Sequence, residues 1–413
     1  MQEVIIIGGG ASGLVAAIVA ARRGAKVCVL ERLNRIGKKI LVTGNGRCNM
    51  TNSDIMPKRY HSSSLVDFSK VLERFGYEET KKFFGELGIM PLVEGKKVYP
   101  LSEQATSIVD VLRMELERLG IEVVTDTKIV QLKPIKKGWQ LLSEEGQCFE
   151  ARKVIVATGG MTNEGLGCDG KGYELLKEIG HTLKKPFPIL VHLISPTPYC
   201  KMMKGAKIKA NASIFVEDHL MRMEYGEVLF TEDGLSGPPI FQISRVASLA
   251  AMEKKKTKVK LDLFPTLSED ELVSMLYERI TLHPEREIEN LLIGVVHKRI
   301  IMPLLKAAQI TSIHRPTENL EYEEIVSLVS VMKGLSFDIE GTRGYKFAQV
   351  TAGGISADEI DFDTMASLKA KHLYITGEVM DVDGDCGGYN LQWAWATGYI
   401  AGESVSRKEE NDD

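Results

Sequence analysis

Three features of the sequence predict an α/β fold, a parallel sheet with crossover helices whose chain is interrupted by a β-rich and helical insert. Residues 4–7 are an all-apolar run, as expected of a parallel strand buried on both faces, and pass directly into Gly8-Gly9-Gly10-Ala11-Ser12-Gly13 and an alanine-rich helical pattern. Two later strand-like runs, 153–156 and 373–376, also pass into turns that begin with small residues, so strands of one kind recur far apart in the chain. Between about 189 and 344 the pattern changes to strand-like runs followed by long helical periodicity, unlike either flank.

Composition is consistent with this. At roughly 150 residues per domain, 413 residues make two or three domains. Apolar residues at 44% and charged residues at 26% are ordinary globular values, which excludes a disordered or collagenous chain. A net charge of −4 provides no global field for nucleic acid or anionic lipid, so a small-molecule substrate is expected and neither a nucleic-acid nor a membrane partner. Six cysteines without a C-x-x-C pair speak against a zinc ribbon or disulfide framework and suit a reducing compartment. Met1-Gln2-Glu3 has no basic leader character, and the longest apolar stretch, 14–21, falls far short of the ~20 residues of a membrane span, so a cytoplasmic location is expected.

The first element is a β-α-β unit: a strand at 4–7, a helix at 14–23 closed by Gly24, and a strand at 26–30 ending in Glu31. Gly8 permits the tight turn, Gly10 lets the backbone approach a pyrophosphate, and Gly13 lets helix and strand pack closely. The helix start offers free N–H groups and partial positive charge to the phosphates. Glu31, 18 residues beyond Gly13, stands where an acid can hydrogen-bond both ribose hydroxyls, whereas Arg32 is of the type that accepts a 2′-phosphate.

NAD and FAD share this device, and two later segments favour FAD. The strand from Lys153 ends in Ala157-Thr158-Gly159-Gly160, a small-residue turn that a cofactor can approach closely. The strand at 373–376 ends in Gly377-Glu378 and is followed, after a glycine-rich loop, by a helix at 391–406. FAD is long and crosses the sheet, so its binding requires the chain to return late in the sequence. Thr43-Gly44-Asn45-Gly46-Arg47-Cys48-Asn49, after Lys38-Lys39, suits a loop along a phosphate or flavin edge, and equally a Gly/Asn turn with a solvated Arg.

An amphipathic helix is expected over 108–119, then short strands at 121–124, 128–132 (with Ile129), 139–142 and 148–156. The insert carries strand-like runs at 208–217, 226–230 and 258–263 and helical patterns at 268–282 and 285–308. The domain division expected is a discontinuous cofactor domain of residues 1–190 and 345–413, interrupted by 191–344.

These motifs, with L-F-T-E-D-G-L-S-G-P at 229–238, V-T-A-G-G-I at 350–355 and G-E-V-M-D-V-D-G-D-C-G-G-Y-N-L-Q at 377–392, resemble the BaiN/RdsA-type NAD(P)/FAD-dependent oxidoreductases, which include aminoacetone oxidases. The resemblance covers essentially the whole chain. It implies a glutathione-reductase-type, Rossmann-like FAD domain, with the β-rich insert and a helical subdomain as a substrate lid. Carried over by position, Gly8, Gly10, Ser12, Gly13, Glu31 and Arg32 would hold the ADP part. Gly44, Arg47, Cys48, Gly377, Glu378 and the Asn390-Leu391 backbone would line the ribityl and flavin, and Lys39, Ile129, Thr158 and Gly159 complete the expected cofactor set. The chain departs from the family pattern at Glu232-Asp233, where His is common in the first place, so no proton-transfer role is assigned there.

Other chemistries fit less well. Asp381-Val382-Asp383-Gly384-Asp385 begins like a calcium loop, but Cys386 and Gln392 stand where that loop needs Gly and Glu. No His spacing suggests zinc, and Ser236 lies outside a nucleophile elbow. Cys48 and Cys386 lack a nearby second cysteine and read as packed thiols. The expected activity is flavin N5 hydride transfer with noncovalent FAD between an organic substrate or NAD(P)H and an acceptor, NAD(P)H being a transient donor because only one fingerprint is present. Oxidation of a small amine by oxygen is the alternative. RNA modification, suggested by Lys184, Lys185, Lys201, Lys204, Lys207 and Lys209, is the second alternative.

Overall fold

Val4, Ile5 and Ile6 are fully buried because their strand lies at the centre of a parallel sheet. In the computed structural model, which describes residues 1–407, β1 (Gln2–Ile7) pairs in parallel with β2 (Val27–Leu30) on one side and with Cys148–Val156 on the other. Glu122–Val124 continues the sheet beyond β2 and Leu373–Ile375 beyond Cys148–Val156, both parallel. Numbered along the chain, these five strands stand in the order 3-2-1-4-5, a doubly wound arrangement whose direction reverses at β1. The hairpin Ile129–Ile135 and Gly138–Ser143 joins antiparallel to the start of Cys148–Val156.

The helix α1 (Ala11–Arg22) follows β1, and the C-terminal helix Tyr389–Val405 crosses it at backbone contact. A Cβ on Gly398 would stand 2.3 Å from the Ser12 carbonyl oxygen, and one on Gly402 would stand 2.6 Å from that of Ala16, so two glycines one turn apart permit the crossing. Trp395, wholly buried, donates its indole N–H to the Met50 carbonyl and packs edge-on against Phe84.

The chain divides into two compact units, one of Met1–Phe187 with Gln349–Asp413 and one of Pro188–Ala348; residues past 407 lie outside the described part. The second unit has its own sheet, in the order Leu335–Ile339, Thr257–Asp262, Lys207–Val216, His219–Phe230, Gly234–Ser236, Leu193–Ile194 and Gly341–Thr342. Its core joins Ile214, Val259 and Phe337 of the sheet to Leu276, Leu304 and Leu328 of the helices.

Three readings of the insert change. The helical pattern at 285–308 yields a helix only at Lys298–Ala307, because the N–H groups of Ile288 and Glu289 donate to the carbonyls of Arg315 and Ile313 across a loop instead of along a helix. The helix Pro238–Met252 was hidden by its own start: Gly237 (φ +104°) and two prolines in the first turn read as a turn but make a helix N-terminus. Tyr322–Gly334 is a further helix not expected from the pattern. No helix among the described residues is long and apolar enough to cross a membrane.

Candidate functional site

The turn after β1 is shaped by what its glycines exclude. Gly8 has φ +109° and a Cβ there would lie 2.4 Å from the Ala157 carbonyl oxygen, while one on Gly13 would lie 2.0 Å from that of Gly8. Neither position admits a side chain. Gly10, by contrast, has no atom within 4 Å of where a Cβ would point. It caps α1 without a side-chain hydrogen bond and with no acid in the first turn, which leaves the helix N–H groups free and their partial positive charge uncompensated.

A cleft opens there, at the C-terminal ends of the parallel strands beside the reversal point, where doubly wound sheets bind ligands. Of the expected residues, Gly8, Gly10, Ser12, Glu31, Arg32, Lys39, Ile129, Thr158, Gly159, Glu378, Asn390 and Leu391 line it. They come from seven separate segments brought together by the sheet.

Glu31 closes β2 and is buried, with one oxygen accepting the Gly9 N–H at 2.7 Å and the other the Leu33 N–H at 2.8 Å. Burial pushes its carboxyl up against those two N–H bonds, which favour the charged form. Arg32 is engaged by Asp169 at 2.5 Å and by the Glu164 carbonyl. Lys39 donates to Glu378 at 2.7 Å and to Thr162 at 2.8 Å. Burial works against the Lys39 ammonium, but the Cys168 thiol and Glu378 outweigh it and its pKa is raised. Glu378 also accepts the Thr351 N–H at 2.8 Å, so one carboxylate ties the turn after Ile375 to Lys39 and to the strand Val350–Ile355.

Gly13, Gly44, Arg47, Cys48 and Gly377 do not line the cleft. Gly13 packs beneath it against Gly8. Gly377 (φ +74°) donates its N–H to Thr397 and faces Ser12, where a Cβ would stand 2.7 Å from the hydroxyl. Arg47 pairs with Glu94 and Glu103 and lies 4.0 Å above the Tyr99 ring. Cys48 is fully buried, and burial pushes its thiol up to about 12, so it is a packed thiol rather than a reactive one.

The residues present fit a dinucleotide reaching from the glycine turn to the C-terminal helix. The Oγ1 of Thr158, in the cleft wall, is buried without a hydrogen-bond partner, and Gly10 leaves open space above free N–H groups. The helix Tyr389–Val405 starts at Gly388 (φ +100°) with no side-chain cap, and Asn390 spends both ends of its amide on Gly384, which sets that helix start in place. Sequence reasoning missed Gly167, Cys168 and Asp169 in the cleft wall. Their signal was the glycine density at 165, 167, 170 and 172 that follows Ala157-Thr158-Gly159-Gly160.

In the second unit, by itself, Arg343 makes a two-pronged ion pair with Asp233 at 2.6 and 2.8 Å. His192 lies 3.4 Å from the Ser236 hydroxyl with its Nδ1 buried and unpartnered. Burial lowers the His192 pKa, keeping the ring neutral at pH 7. Glu232 is exposed and paired with Lys204.

Comparison with known proteins matches residues 2–404 to the HI0933-like protein Rossmann domain. The chain is 39% identical over 411 residues to 3-dehydro-bile acid delta(4,6)-reductase of Clostridium scindens, covering 99% of this chain and 100% of that one. It is 30% identical over 415 residues to ribosomal RNA dihydrouridine synthase of Haemophilus influenzae, covering 98% and 99%. Among solved structures, 3-ketosteroid delta1-dehydrogenase from Sterolibacterium denitrificans superimposes with a TM-score of 0.50 at 11% identity, covering 98% of this chain and 99% of that one. That likeness shows the fold alone.

Proposed function

The chain belongs to the HI0933-like family of flavoprotein oxidoreductases, and from that premise we propose that it reduces a carbon–carbon double bond conjugated to a carbonyl in a polycyclic acid. The observation that carries the reading is the end-to-end 39% identity to a protein named as a bile acid reductase. FAD, when bound, supplies N5 as the hydride carrier. In this reading Gly8, Gly10 and the first N–H groups of α1 hold the pyrophosphate noncovalently, Glu31 holds the adenosine ribose, and Lys39 with Glu378 orders the wall between the two ends. The uncapped N-terminus of Tyr389–Val405, presented by Asn390 and Leu391, favours negative charge on the pyrimidine side of the ring.

NAD(P)H serves as a transient donor in this proposal, because the chain has one dinucleotide fingerprint. Residues 191–344 set substrate choice, and exchanging that segment with a relative's tests it. The six cysteines, all free, suit a reducing cytoplasm. Anaerobic stopped-flow mixing decides the main reading. The protein, reduced and so bleached, should be reoxidised by a 3-oxo-4,6-diene bile acid, monitored as the return of the yellow flavin absorbance band; no reoxidation by that compound, with fast reoxidation by oxygen and reduction by aminoacetone, transfers the assignment to the amine oxidase alternative.

A second reading has an observation of its own. Relatives named ribosomal RNA dihydrouridine synthase match 98% of the chain at 30% and 28% identity, so the uracil ring of an RNA is the competing conjugated substrate and the expectation of no nucleic-acid partner is not retained. Reoxidation by a uridine-containing oligonucleotide instead of the bile acid selects it.

A further inference from the structure

A second cleft lies at the opposite end of the same parallel strands. Among the described residues it is lined by eight lysines and arginines against two glutamates, within a chain whose net charge is −4. Lys133, Lys136 and Lys137 come from the hairpin that joins Cys148–Val156, Arg152 from that strand, Lys371 from the turn before Leu373–Ile375, and Arg407 from beyond the C-terminal helix. These six are exposed, and none of them makes an ion pair among the described residues. Of the two acids, Glu3 is committed to the Lys26 N–H.

Lys153 stands in register with Val4 in the first half of β1, whereas Ile7 at its end already lines the cofactor cleft. Three residues of β1, from Val4 to Ile7, separate the two linings, roughly 10 Å of strand at ~3.3 Å per residue.

The chemistry of the cleft narrows its ligand. A compact phosphate site gathers buried donors and a helix N-terminus around one anion. Here the cations are long, exposed side chains spread around an open space of about 2450 Å³, against about 1160 Å³ for the cofactor cleft. Spaced point charges on flexible stems match spaced charges on a polymer. Among the described residues the wall has two aromatic side chains: Trp139 is buried and donates its indole N–H to the Lys371 carbonyl, and His372 is half-buried, so no open Phe, Tyr or Trp face is presented for a base to stack on.

We propose that this basic cleft binds the phosphodiester backbone of a nucleic acid without reading its bases. The inference is independent of which substrate the flavin reduces. It tests by fluorescence anisotropy with the full-length holoprotein and labelled 20-base-pair DNA and RNA duplexes of arbitrary sequence. Both duplexes should bind, with comparable affinity, in the ~1–100 μM range that non-specific binding occupies. Affinity should fall roughly a hundredfold between 50 and 200 mM salt if about four phosphates are neutralised. The variant K136E/K137E/K371E should bind more than tenfold more weakly and lower the salt slope by about one for each lysine lost. Its FAD content and its rate of flavin reduction should equal those of the unaltered protein, which separates failure of this site from failure of the proposed reaction. Binding unaffected by the triple substitution, or displaced by ATP at one equivalent, overturns the proposal. Equal binding of poly-glutamate of matched charge overturns it in favour of an acidic protein partner.

Discussion

The two glycine-rich loops of the cofactor unit, 8–13 and 43–49, look alike in composition and do different work. In the first, backbone geometry decides every position: Gly8 and Gly13 are closed to any side chain, and Gly10 is open above the helix N-terminus. In the second, Gly44 (φ +56°) and Asn45 (φ +56°) make a left-handed turn in which a Cβ on Gly44 would stand 2.7 Å from the Asn49 N–H, and the functional-looking side chains turn elsewhere. Arg47 is held by Glu94, Glu103 and Tyr99, and Cys48 is packed inside. A motif whose role lies in its backbone is local and legible. A motif whose role depends on where its side chains find partners is decided by residues far along the chain.

The comparison breaks most readily at Gly13. Gly13→Ala puts a methyl 2.0 Å from the Gly8 carbonyl oxygen, and backbone cannot give way as a flexible side chain can. The expected outcome is protein without bound flavin, destabilised by about 1–3 kcal/mol or more, the scale of core overpacking; yellow protein of unchanged melting temperature would show the turn to be tolerant.

Glu31→Ala is next. It leaves the buried Gly9 N–H unpaired, worth about 1–3 kcal/mol, together with the part-buried Leu33 N–H, and should raise the FAD dissociation constant at least tenfold. Equilibrium titration of the apoprotein checks it, and an unchanged constant removes Glu31 from the site.

Arg47→Ala sharpens the contrast from the other side. Its two ion pairs are exposed and screened by solvent and its one ring contact lies at the surface, so stability should drop slightly while FAD affinity stays within threefold. A tenfold loss of affinity would return Arg47 to the cofactor.

The smallest effect is expected at Cys48. With its thiol pushed up to about 12, it should stay unlabelled by a disulfide reagent at pH 8 in native protein and react only on unfolding, whereas exposed Cys148 should label at once. Peptide mapping of the modified sites decides it.

Several elements are legible in the order of residues alone. The strand at 4–7, its glycine turn, α1 and the strand ending at Glu31 emerge within a residue or three of their expected bounds, and the strand at 373–376 does join the sheet of β1. The Glu31 carboxylate stands in the cleft wall because an acid at the end of β2 is placed there by the β-α-β geometry itself.

What the chain determined alone is therefore whatever depends on short-range backbone sterics and on burial periodicity: which runs become buried strands, where only glycine fits, and which helix N-terminus is left uncapped. Tertiary structure decided the rest. Gly398 and Gly402 became a helix crossing only against α1, Lys39 found Glu378 across 339 residues, Arg47 was drawn to Glu94, and lysines scattered through sequence gathered into one basic cleft. Those pairings are set by which strands lie side by side in the sheet, and that order is a property of the folded whole.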